Sequence, residues 1–279
     1  MNLHRLLRKI RYHASAILPY RTPVPSCDPV DVVIPVTDKD LTILPLTLEG
    51  LRRNVTNRIA AIYIVARDTA AVREVCTRYG TVFIDELQIM GYGPGHLGLI
   101  VSQPPVDRSG WLYQQLLKLS GRIGDSRWIV TIDSDHILLR PHTFVCADGK
   151  SVLYRSSERH TPYYDNIRRL IGLEVTSPLS YVAHKMVFDR NSLKRLQADI
   201  EKANPGRKWD EAILDSIDRS HISGFSEFEL YGNWLPKQSR IVRPWRNHHL
   251  DYSHIADNRT LERRYGLVFA AVTFPSYLN

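Results

Sequence analysis

Apolar positions in the first half of the chain alternate between two periods. Short apolar runs occupy residues 31–36, 59–65 and 81–84. Between them lie Leu44–Asn54, which carries Leu46, Leu48 and Leu51, and Ala70–Tyr79, both with helical spacing. Pro45 falls in a first turn, where proline is tolerated. Strands that alternate with helices predict parallel βαβ units and an α/β fold with a mostly parallel central sheet flanked by helices. A further helix is predicted over residues 111–120. Its Leu112, Leu116 and Leu119 share one face, with Trp111, Gln114, Gln115 and Lys118 opposite.

Residues 128–132, Trp-Ile-Val-Thr-Ile, are β-branched or aromatic and apolar on both faces, as in a strand buried within a sheet. The apolar run then stops at Asp133-Ser134-Asp135 and resumes until Pro141. Beyond it the pattern loosens. Residues 151–154 and 180–188 read as strands. Helices are expected over 191–203, capped by Asn191 or Ser192, and over 209–219. Ser226-x-x-Glu229 reads as a capping box, in which Glu229 bonds the amide at the helix start. Residues 230–234 continue that turn and break at Gly232. Residues 240–245 read as extended, and a last helix or strand is expected near 267–274. The glycine-rich stretch 91–98 reads as a mobile loop, with a phosphate cradle as the alternative. No repeat is present, and neither Gly-x-x-x-x-Gly-Lys-Ser/Thr nor Gly-x-Gly-x-x-Gly occurs at a suitable junction.

The Asp133-Ser134-Asp135 segment carries the candidate chemistry. Acids at the C-terminal edge of a buried strand lie where open α/β sheets bind ligands. Two carboxylates two residues apart can reach one hard cation, Mg²⁺ or Mn²⁺, leaving its other positions to water and a diphosphate. The competing reading is a turn in which the aspartates bond backbone amides.

With the first strand Asp31-Val32-Val33-Ile34-Pro35-Val36, this segment resembles the nucleotide-sugar glycosyltransferases of GT-A fold. The closest resemblance is to a poorly characterised bacterial family marked by three segments. Here these read Gly110-Trp111-Leu112-Tyr113-Gln114-Gln115-Leu116-Leu117-Lys118-Leu119, then Ile132-Asp133-Ser134-Asp135, then Phe225-Ser226-Glu227-Phe228-Glu229-Leu230-Tyr231-Gly232-Asn233-Trp234. The resemblance spans about residues 31–249. It implies a Rossmann-like sheet with a smaller acceptor-side portion: residues 30–279 form a single domain, 30–141 the nucleotide-binding half and 142–279 the acceptor-binding half. It implies a divalent metal, Mn²⁺ or Mg²⁺, held by Asp133 and Asp135, with His248 or His249 completing the shell. Pro35, Val36, Thr37 and Asp68 lie where such proteins hold base and ribose. Independently of the resemblance, Gln114, Gln115 and Lys118 beside Trp111 read either as a solvated polar face or as groups that meet a nucleotide diphosphate. In inverting members a carboxylate at a helix start past the paired aspartates takes the acceptor proton. Glu227 matches that place, with Glu229 second, and retaining members need no such base. The implied reaction moves sugar from a nucleotide-sugar donor to a glycan or lipid-linked glycan acceptor in bacterial surface polysaccharide synthesis. Two alternatives are a sugar nucleotidyltransferase, which would carry a glycine-rich basic motif where Thr37-Asp38-Lys39-Asp40 stands, and a non-catalytic membrane-associated scaffold of the same fold.

Charge adds a partner. The 279 residues carry a formal net charge of +8, which favours anionic partners. Nucleic acid is not expected, since RNA-binding aromatics and zinc-finger spacings are lacking. Cys27, Cys76 and Cys146 are scattered, with no disulfide framework. In residues 1–20, Leu3, Leu6, Leu7, Ile10, Ala14 and Ile17 repeat at helical spacing beside Arg5, Arg8, Lys9 and Arg11. Such a basic amphipathic helix either lies on an anionic membrane or docks on its own domain. A Pro-rich linker, residues 21–29, follows. The expected location is cytoplasmic, peripherally bound to the inner membrane.

Overall fold

The computed structural model describes Ile10, Ala14, residues 22–177 and residues 179–275. The amphipathic stretch over residues 1–20 lies outside the described residues except for Ile10 and Ala14, which are helical and exposed.

In chain order the elements begin β1 (Val30–Pro35), α1 (Leu44–Asn54), β2 (Ile59–Ala66), α2 (Ala70–Tyr79), β3 (Val82–Asp85), α3 (Glu86–Met90), β4 (Ile100–Val101), β5 (Val106–Asp107) and α4 (Ser109–Ser120). They continue β6 (Trp128–Ile132), β7 (His136–Leu138), β8 (Ser151–Arg155), α5 (Thr161–Ile171), β9 (Lys185–Asp189), α6 (Arg190–Ala203), α7 (Trp209–Ser216), α8 (Glu227–Trp234), β10 (Arg240–Pro244), β11 (Asn247–His249), α9 (Asn258–Tyr265) and β12 (Ala271–Thr273).

The central sheet runs β3-β2-β1-β6-β9. Strands β1, β2, β3 and β6 are parallel, and β9 closes the edge antiparallel to β6. Burial explains the continuous apolar runs: every residue of β1 and of β6 is buried. Asp31 breaks the run in β1 because its carboxylate accepts the Asp125 and Ser126 amides at 2.8 and 2.7 Å. A Cβ on Gly124 (φ +75°) would lie 2.3 Å from that carboxylate, so the turn before β6 needs glycine. A smaller sheet, β11-β12-β7, sits beside the main one and closes on its own core of Ile43, Ile137, Leu250, Leu261, Val272 and Phe274. No helix among the described residues is long and apolar enough to cross a membrane.

Several expectations are corrected. Helix α5 was not foreseen. The strand expected over 180–188 is confined to β9, because His184 takes a left-handed φ of 59° that no ladder tolerates. Helix α6 is capped by Asp189, whose side chain accepts from the Asn191 amide, rather than by Asn191 or Ser192. Helix α7 stops at Ser216, where Ile217 turns extended. Helix α8 runs unbroken through Gly232, where a Cβ would lie 2.5 Å from the Tyr181 ring. That glycine permits close packing instead of ending the helix. The 91–98 stretch holds a 3₁₀ turn, Pro94–Leu97, with Leu97 buried. Near the C-terminal end the element expected over 267–274 is present as the strand β12, and only the helix before it, α9, is additional.

Candidate active site

A cavity of about 810 Å³ lies over the C-terminal ends of β1, β2 and β6 and under the start of α8. The turn after β6 is pinned from three sides. The Thr47 hydroxyl of α1 donates to the Ser134 carbonyl at 2.7 Å. The Asp133 amide donates to the His184 carbonyl at 2.9 Å, and the Phe274 amide donates to the Asp135 carbonyl at 3.0 Å. The two aspartates are thereby fixed at the cavity wall and are not free to follow solvent.

Their environments differ. Lys118 Nζ donates to Asp133 Oδ1 at 2.7 Å, and His184 Nδ1 lies 3.1 Å from Oδ2. Burial opposes the charged form of Asp133, but Lys118 and His184 outweigh it and hold the carboxyl well below the usual carboxylate range. The Asp135 carboxylate accepts no hydrogen bond from another residue among those described. Burial, and then the charge of Asp133, push it up to about 7. The same Lys118 ammonium donates to Glu227 Oε1 at 2.8 Å and lies 4.6 Å from the centroid of the Phe228 ring. Burial works against this ammonium, yet Asp133 and Glu227 raise its pKa above the ordinary lysine value. Glu227 is itself raised, by burial first and with the Asp133 charge adding, against the downward pull of Lys118. The Glu227 amide donates to Gln115 Oε1 at 3.2 Å, which ties the start of α8 to α4.

The structure brings Pro35, Val36, Thr37, Gln114, Gln115, Lys118, Asp133, Asp135 and Glu227 to this one cavity. Asp68 does not line it. That residue is exposed and forms a bidentate pair with Arg73 at 2.6 and 2.7 Å, while its neighbour Arg67 borders the cavity. Glu229 points inward, away from the cavity. The expected capping box is half formed: Ser226 Oγ accepts from the Glu229 amide at 3.3 Å. The Glu229 carboxylate instead accepts from Tyr164 Oη (2.7 Å), the Tyr181 amide (3.2 Å) and Asn233 Nδ2 (2.9 Å). His248 stacks on Phe269 with ring centroids 4.6 Å apart. His249, on the same short strand β11, turns the other way and meets His184 and Glu158.

Four residues of this region were not singled out from the sequence: His184, Glu158, Arg108 and Tyr163. Arg108 lies over Trp111, 4.5 Å from the ring centroid, and its Nε has no partner among the described residues. Beneath the aspartate turn runs a buried polar row. His136 Nδ1 lies 2.7 Å from Thr273 Oγ1 and its Nε2 3.1 Å from Lys185 Nζ, which sits 3.1 Å from the centroid of the Trp245 ring. Burial lowers the pKa of both His136 and Lys185 well below their ordinary values.

A mostly parallel sheet with one antiparallel edge, helices on its faces, and an acid pair at the end of β6 define an α/β protein of GT-A fold. Mouse xyloside xylosyltransferase 1, in its apo form, superposes with a TM-score of 0.53 at 13% identity, over 90% of this chain and 99% of its own. The galactosyltransferase LgtC, in complex with donor and acceptor sugar analogs, aligns with a TM-score of 0.43 at 13% identity, over 88% of this chain and 86% of its own. Within the class, the chain belongs to the family of unknown function DUF6492, which matches residues 27–267. No curated protein sequence matches it.

Proposed function

We propose that the chain is a metal-dependent glycosyltransferase that moves a sugar from a nucleotide-sugar donor to a glycan or lipid-linked glycan acceptor, in bacterial surface polysaccharide synthesis. The observation that carries this reading is the convergence of Asp133, Asp135, Lys118 and Glu227 on one cavity at the C-terminal edge of the sheet. The two acids fit a hard divalent cation. Both are oxygen donors at the cavity wall, and Asp135 takes no hydrogen bond from another described residue. Asp133 and Asp135 would hold Mn²⁺ or Mg²⁺, which would supply charge neutralisation for a departing nucleoside diphosphate.

The chain's own residues supply the rest. Thr37, whose hydroxyl donates to Asp40 at 2.8 Å, and Val36 form the wall where base and ribose rest. Lys118 holds Asp133 ionised and keeps Glu227 in place beside it. Glu227 is the candidate general base of an inverting transfer. A carboxyl whose pKa is raised by burial is closer to the working pH than an ordinary glutamate, which suits it to take a hydroxyl proton. Trp111, with Arg108 over it, offers a platform for a sugar ring on the same wall. A retaining transfer would leave Glu227 without that task, and the anomer of the product distinguishes the two.

The test is a thermal-shift screen of nucleotide sugars with and without Mn²⁺, followed by chromatography for the released nucleoside diphosphate. One donor is expected to raise Tm in a metal-dependent way, since a ligand that binds only the folded state stabilises it, and to hydrolyse slowly. A chain that binds sugar 1-phosphate and nucleoside triphosphate instead is a nucleotidyltransferase. A chain that binds none is a scaffold.

A further inference from the structure

We propose that Glu158, His184 and His249 form a site for a borderline transition-metal ion of the Zn²⁺ type, separate from the Asp133–Asp135 pair. The inference rests on ligand geometry and not on the glycosyl-transfer reading. His249 Nε2 lies 3.4 Å from His184 Nε2 and 3.7 Å from Glu158 Oε1. The three ligating atoms all fall within 4.8 Å of one another. In a tetrahedral shell with metal–ligand bonds of about 2.0–2.1 Å, neighbouring ligand atoms stand roughly 3.3–3.4 Å apart. The two imidazole nitrogens already have that spacing before any ion is added.

The orientation of the rings points the same way. His184 Nδ1 lies 3.1 Å from Asp133 Oδ2, which fixes the orientation of the ring. The other ring nitrogen of His184, Nε2, faces the Nε2 of His249 at 3.4 Å. Two imidazoles that meet through Nε2 at 3.4 Å are a poor hydrogen bond and a good pair of ligands. A carboxylate that orients a histidine toward a metal through the other ring nitrogen is the usual support for such a ligand.

The three side chains come from separate segments. Glu158 lies in the loop between β8 and α5, where its amide donates to Ser156 Oγ at 3.1 Å. His249 ends β11, registered against Thr273 of β12. His184 precedes β9 with a φ of 59°, a conformation uncommon for a residue with a side chain. Strain at a residue that pairs with a site aspartate and faces two further ligands marks functional placement. Two imidazoles and one carboxylate favour Zn²⁺ or Co²⁺ over Mg²⁺, which prefers an all-oxygen shell. Three protein ligands leave a fourth position open. Because Glu158 and His184 both line the cavity, a bound ion would border the space that holds Asp133.

The experiment uses the full chain, stripped with a chelator, in the absence of nucleotide. Zn²⁺ titration by calorimetry is expected to show a stoichiometric ion whose binding an excess of Mg²⁺ does not suppress. His249→Ala and Glu158→Gln are expected to weaken Zn²⁺ at least about 10–100-fold, the scale by which even a supporting partner alters metal affinity, whereas Asp135→Asn leaves it unchanged. Circular dichroism of each variant without metal separates ligand loss from unfolding. The wild-type chain with Co²⁺ gives an independent readout: a four-coordinate site absorbs intensely in the visible, an octahedral oxygen site weakly. Absence of stoichiometric Zn²⁺, a weak octahedral Co²⁺ spectrum, or an equal loss in Asp135→Asn would overturn the proposal. None of these outcomes bears on whether a nucleotide sugar binds.

Discussion

Lys118 and Glu227, 109 residues apart in the chain, meet at 2.8 Å with their side chains only 7% and 5% exposed. Charges removed from water this far are stable only while paired, and losing one partner of a buried pair costs about 3–5 kcal/mol. Lys118→Met is therefore expected to lower unfolding free energy by roughly that amount, measured by urea denaturation, because it strands Glu227 and removes one partner of Asp133. Glu227→Met added to it should cost less than its effect alone, since the two residues act as one unit. Strict additivity would mean the pair contributes nothing.

The acid pair gives a binding prediction. Asp135→Asn is expected to abolish the metal-dependent part of nucleoside diphosphate binding by calorimetry, with the melting transition intact, because the side chain accepts no hydrogen bond from another described residue that the amide would break. Asp133→Asn should also destabilise the fold, since its carboxylate is held by both Lys118 and His184. If Asp135→Asn binds as tightly as wild type with Mn²⁺ present, the ion is held elsewhere.

Glu227 and Glu229 separate chemistry from architecture. Glu227→Gln is expected to bind donor normally and to lose transfer by about 10²–10⁴-fold, the range general base catalysis supplies. Glu229 lies outside the cavity and bonds Tyr164, Tyr181 and Asn233. Its Gln variant should keep transfer within a few-fold. The reverse ranking, with Glu229→Gln the slower enzyme, would exchange the two assignments.

The sequence displays some of this plainly and hides the rest for physical reasons. Helices α1 and α2 are legible to the residue because each packs one apolar stripe on the sheet and is flanked by turn residues. The buried β1 and β6 announce themselves as unbroken apolar runs. Lys118 and Gln115 were visible as the polar side of a helix, yet that side faces a cavity and an ion pair instead of bulk water, which no periodicity encodes. His184 sits between Ala183 and Lys185 in what reads as a strand, and only the left-handed backbone places it beside Asp133. Glu158 lies in a Ser/Arg/His-rich stretch that looks like solvated loop. The Pro162 that opens α5 is a start signal, but that stretch before it gives no apolar pattern to attach it to. Sites assembled from loops that meet only in space leave little periodic trace.

The amphipathic stretch before the domain carries a prediction of its own. Arg5, Arg8, Lys9 and Arg11 beside Leu3, Leu6 and Leu7 supply about 1 kcal/mol per basic residue near an anionic bilayer. The full chain is expected to co-sediment with anionic vesicles, less so as salt screens exposed charges over roughly 8–10 Å. Deleting residues 1–20 should release it while donor hydrolysis continues. A truncated chain that sediments as well as the full one would refute membrane attachment through this stretch.

Glu229 also sets a pH dependence that can be read without knowing the substrate. Burial raises its pKa above the ordinary 4.5, against the hydrogen bonds from Tyr164 and Asn233 that pull it down. In the unfolded chain the group ionises near its ordinary value, and in the folded chain it keeps its proton to higher pH. Between those two values the folded state binds more protons than the unfolded state, so unfolding free energy falls as pH rises. Below both values the group is neutral in each state and its contribution is at its most favourable. Glu227, raised in the same direction, gives a slope of the same sign, so the wild-type profile alone does not isolate Glu229. The difference between wild type and Glu229→Gln does. The variant cannot ionise at this position, so its stability relative to wild type should improve steadily from about pH 4.5 upward and then level off once wild-type Glu229 is ionised. Urea denaturation at half-unit steps from pH 4 to pH 8 measures it. A constant difference across that range would mean that Glu229 titrates at its ordinary value, and that its buried hydrogen bonds offset the full cost of its burial.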